Sequence, residues 1–236
     1  MTTIKKMLTA TLITTPLLVS AAGMGLYIPV NIMDTTTIDY TDRSTNYDLS
    51  YKLSPGFGIS FDSNIGKDKL YSYRLGLEYQ EMDLDTVNDR SVTHLGYTKT
   101  KFNIVNTFGF GVFRTKVVRL WVGPRLNVQI QSAESSWDPG YERSDVGVGL
   151  GLAAGINVNL GKVVSLAFDA DYHAVSISGS ESTEDEYCDS YGCYTFIDSR
   201  SYSAVEKGLT ARFYLLFRFG EQFQREVPVS LIDQSL

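Results

Sequence analysis

Residues 146–160 read VGVGLGLAAGINVNL, a regular alternation of apolar residues with small or polar ones. Every even-numbered position from Val146 to Leu160 is apolar, and every position between them is Gly, Ala or Asn. Successive side chains of a strand point to opposite faces, so this period of two predicts a β-strand with one apolar face. The stretch is also longer than a typical strand of a soluble protein, which has about five or six residues.

Seven further stretches repeat the alternation, at residues 26–32, 53–61, 71–79, 102–112, 118–130, 164–174 and 209–219. The apolar faces of all eight stretches contain no charged residue, although 20% of the chain is charged. The opposite faces are rich in glycine and polar residues. The sequence therefore predicts eight long strands, each with one apolar face and one face of small or polar residues.

The direction of the apolar face separates two kinds of barrel. A soluble lipocalin-like barrel buries its apolar side chains, whereas an outer-membrane barrel turns them toward lipid and keeps a polar interior. An interior so rich in Phe, Tyr and Leu would overfill an eight-stranded lumen, which is only just wide enough for side chains. The sequence therefore predicts an all-β fold, an eight-stranded antiparallel transmembrane up-and-down β-barrel.

Charged residues on the polar face are expected to lie inside this narrow barrel and to pair there, because an unpaired buried charge is costly. Counting along neighbouring strands brings Asp169 and Asp171 level with Arg212, and Glu78 level with Lys52. We expect a plugged lumen. The predicted interior charge network consists of Lys52, Arg74, Glu78, Arg119, Arg125, Asp169, Asp171, Arg212 and Arg218.

The links between the predicted strands alternate in length. Long links fall at residues 34–48, 81–98, 131–145 and 177–204, and short links at 62–69, 113–117 and 161–162. Bacterial barrels have short periplasmic turns and long extracellular loops, so this alternation predicts that both chain ends are periplasmic. The first and fourth long links are acidic, with Asp34, Asp39, Asp42 and Asp48 in the first and Glu181, Glu184, Asp185, Glu186, Asp189 and Asp198 in the fourth.

The chain ends have their own signals. Lys5 and Lys6 precede a short apolar stretch that finishes in Ser20, Ala21 and Ala22, which predicts a cleaved signal peptide over residues 1–22. The barrel is then expected over 23–219, with a short periplasmic tail at 220–236. A net charge of −6 excludes a general nucleic-acid binder.

On this pattern, residues 25–219 resemble the small eight-stranded outer-membrane barrels of the OmpA/OmpX type. The stretch from Arg212 to Phe219 is similar to the aromatic last strand that the barrel-assembly machinery recognises in that group. The resemblance implies a bacterial outer-membrane location, with outer-membrane lipid, lipopolysaccharide and that machinery as partners. The chain departs from the group's pattern because residues follow Phe219.

The sequence contains no catalytic, cofactor-binding or metal-binding constellation that we would assign. His173 falls on a polar face, where a catalytic role would need a serine on the same face of the strand. Ser176 has the opposite parity and would face lipid, so we expect an interior hydrogen-bonding role for this histidine. Cys188 and Cys193 flank a turn-prone tetrapeptide, and in an exported chain they predict a disulfide. The acidic loops lack the spacing of an EF-hand.

Two functions remain open at this point. The first is a non-enzymatic surface barrel whose loops contact an extracellular ligand or whose body supports membrane integrity. The alternative is a narrow porin-like channel for small solutes.

Overall fold

The computed structural model describes residues 23–40, 46–63, 70–88, 90–91, 97–115, 117–136, 140–161, 163–189 and 192–219. These residues form ten β-strands: β1 (Gly23–Tyr40), β2 (Asn46–Tyr51), β3 (Ser54–Ser63), β4 (Tyr71–Val87), β5 (Arg90–Ser91), β6 (Tyr97–Arg114), β7 (Val118–Ser135), β8 (Glu142–Asn159), β9 (Val164–Asp189) and β10 (Gly192–Arg218). The predicted signal peptide at 1–22 and the tail at 220–236 lie outside the described residues. No helix in the described ranges has the length and apolarity that a membrane crossing requires.

The strands close into an antiparallel ring. β2 and β3 together occupy one strand position between β1 and β4. β5 is a short strand that pairs only with β4 among the described strands, so the ring has eight strand positions. The ring is closed by the pairing of β1 with β10, which runs from Gly23 opposite Arg218 to Tyr40 opposite Tyr202. The predicted eight-stranded up-and-down barrel is therefore confirmed.

The apolar face of the wall points outward, as the alternation predicts. On β8, for example, the side chains of Leu150 and Leu152 are 68% and 69% exposed, whereas Gly147 and Gly151 line the interior. A Cβ at Gly149 would lie 2.3 Å from the carbonyl oxygen of Ala174, so the neighbouring strand fills the space beside this glycine. The outside of the barrel is consequently an apolar belt over a polar interior.

Two irregularities reverse which residues face the interior. The register of β1 against β10 shifts between Asn31 and Met33, so that Asn31 and Asp34 both point inward. The chain also leaves the strand between Tyr51 and Ser54, both of which are buried. An extra residue in a period-two pattern moves all later side chains to the other face.

The break between β2 and β3 corrects the prediction for Lys52. This side chain is exposed on the outside of the barrel, because the break turns both Lys52 and Leu53 outward. Its backbone N–H donates to the carbonyl oxygen of Asp83 at 2.9 Å. Lys52 therefore does not meet Glu78 and is not part of the interior network.

The strands also run farther than the apolar alternation suggests, so the four long links are shorter than predicted. We call the end where β6 joins β7 and β8 joins β9 the turn end, and the opposite end the loop end. The largest correction is at the loop end, where β9 and β10 pair from the barrel up to Asp189 and Gly192, through the predicted loop at 177–204. Asp34, Asp39 and Asp48 also lie on strands rather than in a loop.

Candidate functional site

The lumen at mid-height contains three buried arginines held by four buried carboxylates. We call this group the arginine network; its members are Arg74, Arg125, Arg212, Asp62, Glu78, Asp169 and Asp171. Asp62 and Arg74 lie opposite each other on β3 and β4, and Asp169 lies opposite Arg212 on β9 and β10. The pleat of each strand points these side chains inward. Because β3 and β4 lie on a different side of the ring from β9 and β10, the side chains meet across the lumen.

Shared carboxylates join the arginines into one network. Arg74 donates to both oxygens of Asp62, at 2.6 and 2.8 Å, and to Asp169 at 3.0 Å. Arg125 donates to Asp169 at 3.0 Å and also contacts Asp171. Charge-assisted bonds of this bidentate kind are among the strongest that side chains make.

Arg212 on β10 connects the same network to Glu78 on β4. Its guanidinium donates to Asp171 and to Glu78, with the Nη2 to Oε2 bond at 3.3 Å. Glu78 also accepts bonds at 3.2 Å from the hydroxyl of Tyr27 and from the side-chain amide of Asn103. The arginine network thereby links side chains from β3, β4, β7, β9 and β10 across the lumen.

A second charged group lies nearer the loop end, and we call it the lysine tetrad. Lys99 and Lys101 on β6 each donate to both Asp34 on β1 and Glu206 on β10, with all four N to O distances between 3.0 and 3.1 Å. Two ammonium groups and two carboxylates alternate in a closed ring. The charges of the tetrad balance, which offsets part of the cost of removing them from water.

His173 lies between the two charged groups. Its Nδ1 is 2.9 Å from Asp171 in the arginine network, and its Nε2 is 3.9 Å from Glu206 in the tetrad. The outward position of Ser176 keeps that hydroxyl away from the imidazole. Among the described residues, no group of three or more His, Cys, Asp or Glu side chains has an arrangement that could hold a metal ion.

The remaining predicted interior residues lie at the turn end. Arg119 is buried and donates to the carbonyl oxygen of Leu70 at 3.3 Å. Arg218 is buried as well and donates to the carbonyl oxygens of Gly161 and Val164, the latter at 3.4 Å. These bonds join both arginines to backbone carbonyl groups at the turn end of the barrel.

The loop end of the lumen is filled by apolar side chains. A buried cluster there consists of Ile38, Leu49, Tyr51, Met82, Leu84, Val175, Ile177, Tyr202 and Ala204. Beside it, Arg143 forms an ion pair with Asp145 at 2.7 Å and stacks over the ring of Tyr202. Neither this cluster nor the lysine tetrad is among the predicted site residues, because most of their members fall outside the predicted strands.

The two cysteines lie at the tip of the long hairpin. Cys193 is disulfide-bonded, and Cys188 is its direct partner in the register of β10 against β9. Directly opposed residues on antiparallel strands have Cα atoms about 4.5 to 5.5 Å apart, within the range that a disulfide spans.

No protein-family model and no curated protein sequence matches the chain. Among solved structures, the chain is similar to the outer membrane protein OprG from Pseudomonas aeruginosa, with 10% identity and a TM-score of 0.60 over 84% of this chain and 97% of that one. It also matches a major outer membrane protein from Thermus thermophilus, with 13% identity and a TM-score of 0.44 over 83% and 99% of the two chains. Ail of Yersinia pestis matches with 12% identity and a TM-score of 0.35 over 82% and 99%.

The likeness to OprG concerns the fold, and it agrees with the outward apolar belt and the charged interior. The chain has the fold of the small eight-stranded outer-membrane β-barrels of Gram-negative bacteria.

Proposed function

We propose that the protein is a non-enzymatic outer-membrane barrel that acts by presenting a binding surface outside the cell. The observation that carries this proposal is the hairpin formed by β9 and β10. Pairing of β10 with β1 ends at Tyr202, and pairing of β9 with β8 ends at Ser182. Beyond these points the two strands continue to Gly192 and Asp189 and pair with each other.

The free edge of this hairpin is suited to binding an extended polypeptide. In the described part of the chain, no strand pairs with the outer edge of residues 194–199, so its backbone N–H and C=O groups can bond a partner strand. Phe196 and Ile197, at 60% and 70% exposed, offer apolar contacts on the two faces. Residues 181–200 carry six acidic residues and one basic residue, which favours a basic partner.

The interior supports a structural rather than a catalytic role for the barrel. In the arginine network and the lysine tetrad, carboxylates are engaged by guanidinium or ammonium groups, and His173 is held between two of them. The apolar cluster covers these groups on the loop-end side. In this proposal the loop end is extracellular, the belt contacts lipid and lipopolysaccharide, and the barrel-assembly machinery inserts the chain.

One observation favours the alternative of a narrow channel. Asn127 and Gln129 point into the lumen from β7, and both amide groups are buried without a hydrogen-bond partner among the described residues. Buried amides are normally bonded to protein or to ordered water. A file of water along β7 would be the start of a conduction path, so the channel is kept as the second candidate.

The surface proposal is tested by shortening the hairpin in living cells. A variant that lacks residues 183–198, with Ser182 joined to its register partner Ser199 through a two-residue glycine turn, keeps the pairing of β9 with β8 and of β10 with β1. We expect it to insert normally and to preserve resistance to detergent, but to lose adhesion to a surface coated with extended basic polypeptide. Unchanged adhesion would contradict the proposal, whereas loss of detergent resistance alone would favour a role in membrane integrity.

A further inference from the structure

A cavity of about 290 Å³ lies at the loop-end mouth of the lumen, above the apolar cluster. Four aliphatic side chains form part of its lining. The rest of the lining consists of Tyr40, Tyr47, Tyr97, Tyr141, Glu181 and Arg200. We call this cavity the vestibule. Its volume is near the lower end of the range for ligand pockets, so it suits a small molecule.

The tyrosines surround the vestibule in two pairs. The rings of Tyr40 and Tyr47 meet edge to face, with centroids 5.9 Å apart and planes at 85°. The rings of Tyr97 and Tyr141 have centroids 5.6 Å apart and planes at 54°. All four rings belong to the lining of the cavity, so their π systems lie beside a group bound inside it. Aromatic faces carry negative electrostatic potential and attract cations.

Glu181 adds a negative charge to the same cavity. Its Oε2 accepts hydrogen bonds from the hydroxyls of Tyr40 and Tyr141, at 2.8 and 3.2 Å. Burial raises the pKa of Tyr141, so this phenol stays protonated at neutral pH and continues to donate. Within the described ranges, no cation forms an ion pair with Glu181.

The nearby cations have their own acidic partners. Arg200 forms an ion pair with Asp198 at 2.5 Å, and Arg143 forms one with Asp145 at 2.7 Å. Each pair is neutral as a whole, and the tyrosines are neutral. Arg200 is the register partner of Glu181, but its guanidinium pairs with Asp198, so the Glu181 carboxylate is the charge in the lining that has no ion-pair partner among the described residues.

The barrel already contains this type of contact one layer deeper. The ammonium group of Lys99 lies 3.8 Å from the ring centroid of Tyr51, within the usual distance for a cation–π interaction. We propose that the vestibule binds a small organic cation with apolar substituents, a quaternary ammonium compound being the class that fits best. The site is separate from the free hairpin edge and stands whether or not that edge binds a partner.

The test uses the full chain folded in maltoside micelles and choline as the probe, measured by calorimetric titration. The comparison ligand is the uncharged isostere of choline in which carbon replaces nitrogen. We expect saturable binding of choline to one site, and at least about tenfold weaker binding of the isostere, because only the cation gains from the rings and the carboxylate. Equal affinities, or no saturable binding of choline, would overturn the proposal.

Three variants assign the binding to the vestibule. Glu181→Gln is expected to weaken choline binding about tenfold, whereas Glu134→Gln, an equal charge change on the outer face of β7, is expected to leave it unchanged. Tyr47→Leu keeps apolar volume but removes a ring, so choline should lose severalfold in affinity and the isostere should not. The proposal fails if Glu181→Gln and Glu134→Gln bind choline alike.

A third ligand distinguishes the source of the cation. Phosphocholine carries the same ammonium group together with a phosphate, as a lipid headgroup would. Binding of phosphocholine as tight as that of choline would identify a headgroup as an acceptable occupant. Binding at least about tenfold weaker would restrict the vestibule to free cations, because Glu181 repels the phosphate.

Discussion

At the scale of single residues, the interior shows how charges are kept inside a narrow barrel. Each ammonium group of the lysine tetrad contacts two carboxylates, and each of these carboxylates contacts two ammonium groups. All four side chains are almost fully buried. Removing one member leaves a buried charge without compensation, and such a loss typically costs about 3 to 5 kcal/mol.

Glu206→Gln and Lys101→Met should therefore each lower the free energy of unfolding by about 3 kcal/mol or more. The double variant has a neutral interior again, so its loss should be smaller than the sum of the single losses. The measurement is equilibrium urea unfolding of the refolded barrel. As a control, Arg200→Met breaks a partly exposed ion pair and should cost less than about 1 kcal/mol. Additive losses for Glu206 and Lys101 would contradict the coupling within the tetrad.

Residue positions were predictable from the sequence only where the alternation is unbroken. Parity along β4, β7, β9 and β10 was sufficient to put Arg74, Arg125, Asp169 and Arg212 on the polar face, and the structure buries them. Asp34 could not be placed, because the irregularity between Asn31 and Met33 changes the parity and has no marker in the sequence. The same reason explains the wrong prediction for Lys52.

At the scale of the strands, outward apolar residues mark the depth of the membrane. On the outer face of β8, the apolar positions begin at Val146, whereas Ser144 lies among serines, opposite Ser132 and Ser180. The strands nevertheless continue into this polar zone. Apolar alternation thus predicts the part of a strand that lies in lipid, but it does not predict where the strand ends.

Leu152→Arg and Ser144→Arg test this depth on one strand and one face. An arginine facing lipid at mid-membrane costs about 2 to 4 kcal/mol, and the cost falls toward zero near the interface. Leu152→Arg should therefore reduce the folded yield in lipid vesicles strongly, while Ser144→Arg should fold like the wild type. Folded and unfolded protein can be separated by heat-modifiable gel mobility. Equal yields for the two variants would contradict the position that we assign to the apolar belt along β8.

The hairpin tip gives a second prediction at this scale. A disulfide between Cys188 and Cys193 closes a short loop and restricts the unfolded chain there. It should stabilise the folded tip by roughly 2 kcal/mol, with little effect on the distant barrel. Replacing both cysteines with serine should accelerate chymotrypsin cleavage at the tip tyrosines without changing the melting temperature of the barrel. A lower melting temperature would mean that the tip contributes to the stability of the whole wall.

At the scale of the whole molecule, the barrel is stratified along its axis. Arg119 and Arg218 lie at the turn end, followed by the arginine network, the lysine tetrad, the apolar cluster and the vestibule. The predicted plugged lumen depended on the interior charge network alone, in which Lys52, Arg119 and Arg218 were included and Asp62 was not. The apolar cluster was not predictable, because it is built from residues of the strand extensions, and it adds a second barrier to ions. Charged pairs and apolar side chains therefore close the interior in successive layers.

Conductance of the purified wild-type protein in a planar lipid bilayer measures whether the interior is closed to ions. A general porin in the same lipid shows that the assay detects open channels. Because charged pairs and apolar side chains fill successive layers of the lumen, we predict that the wild-type barrel inserts and remains electrically silent. Steady unitary conductance that scales with the amount of inserted protein would contradict the closed interior and favour the channel.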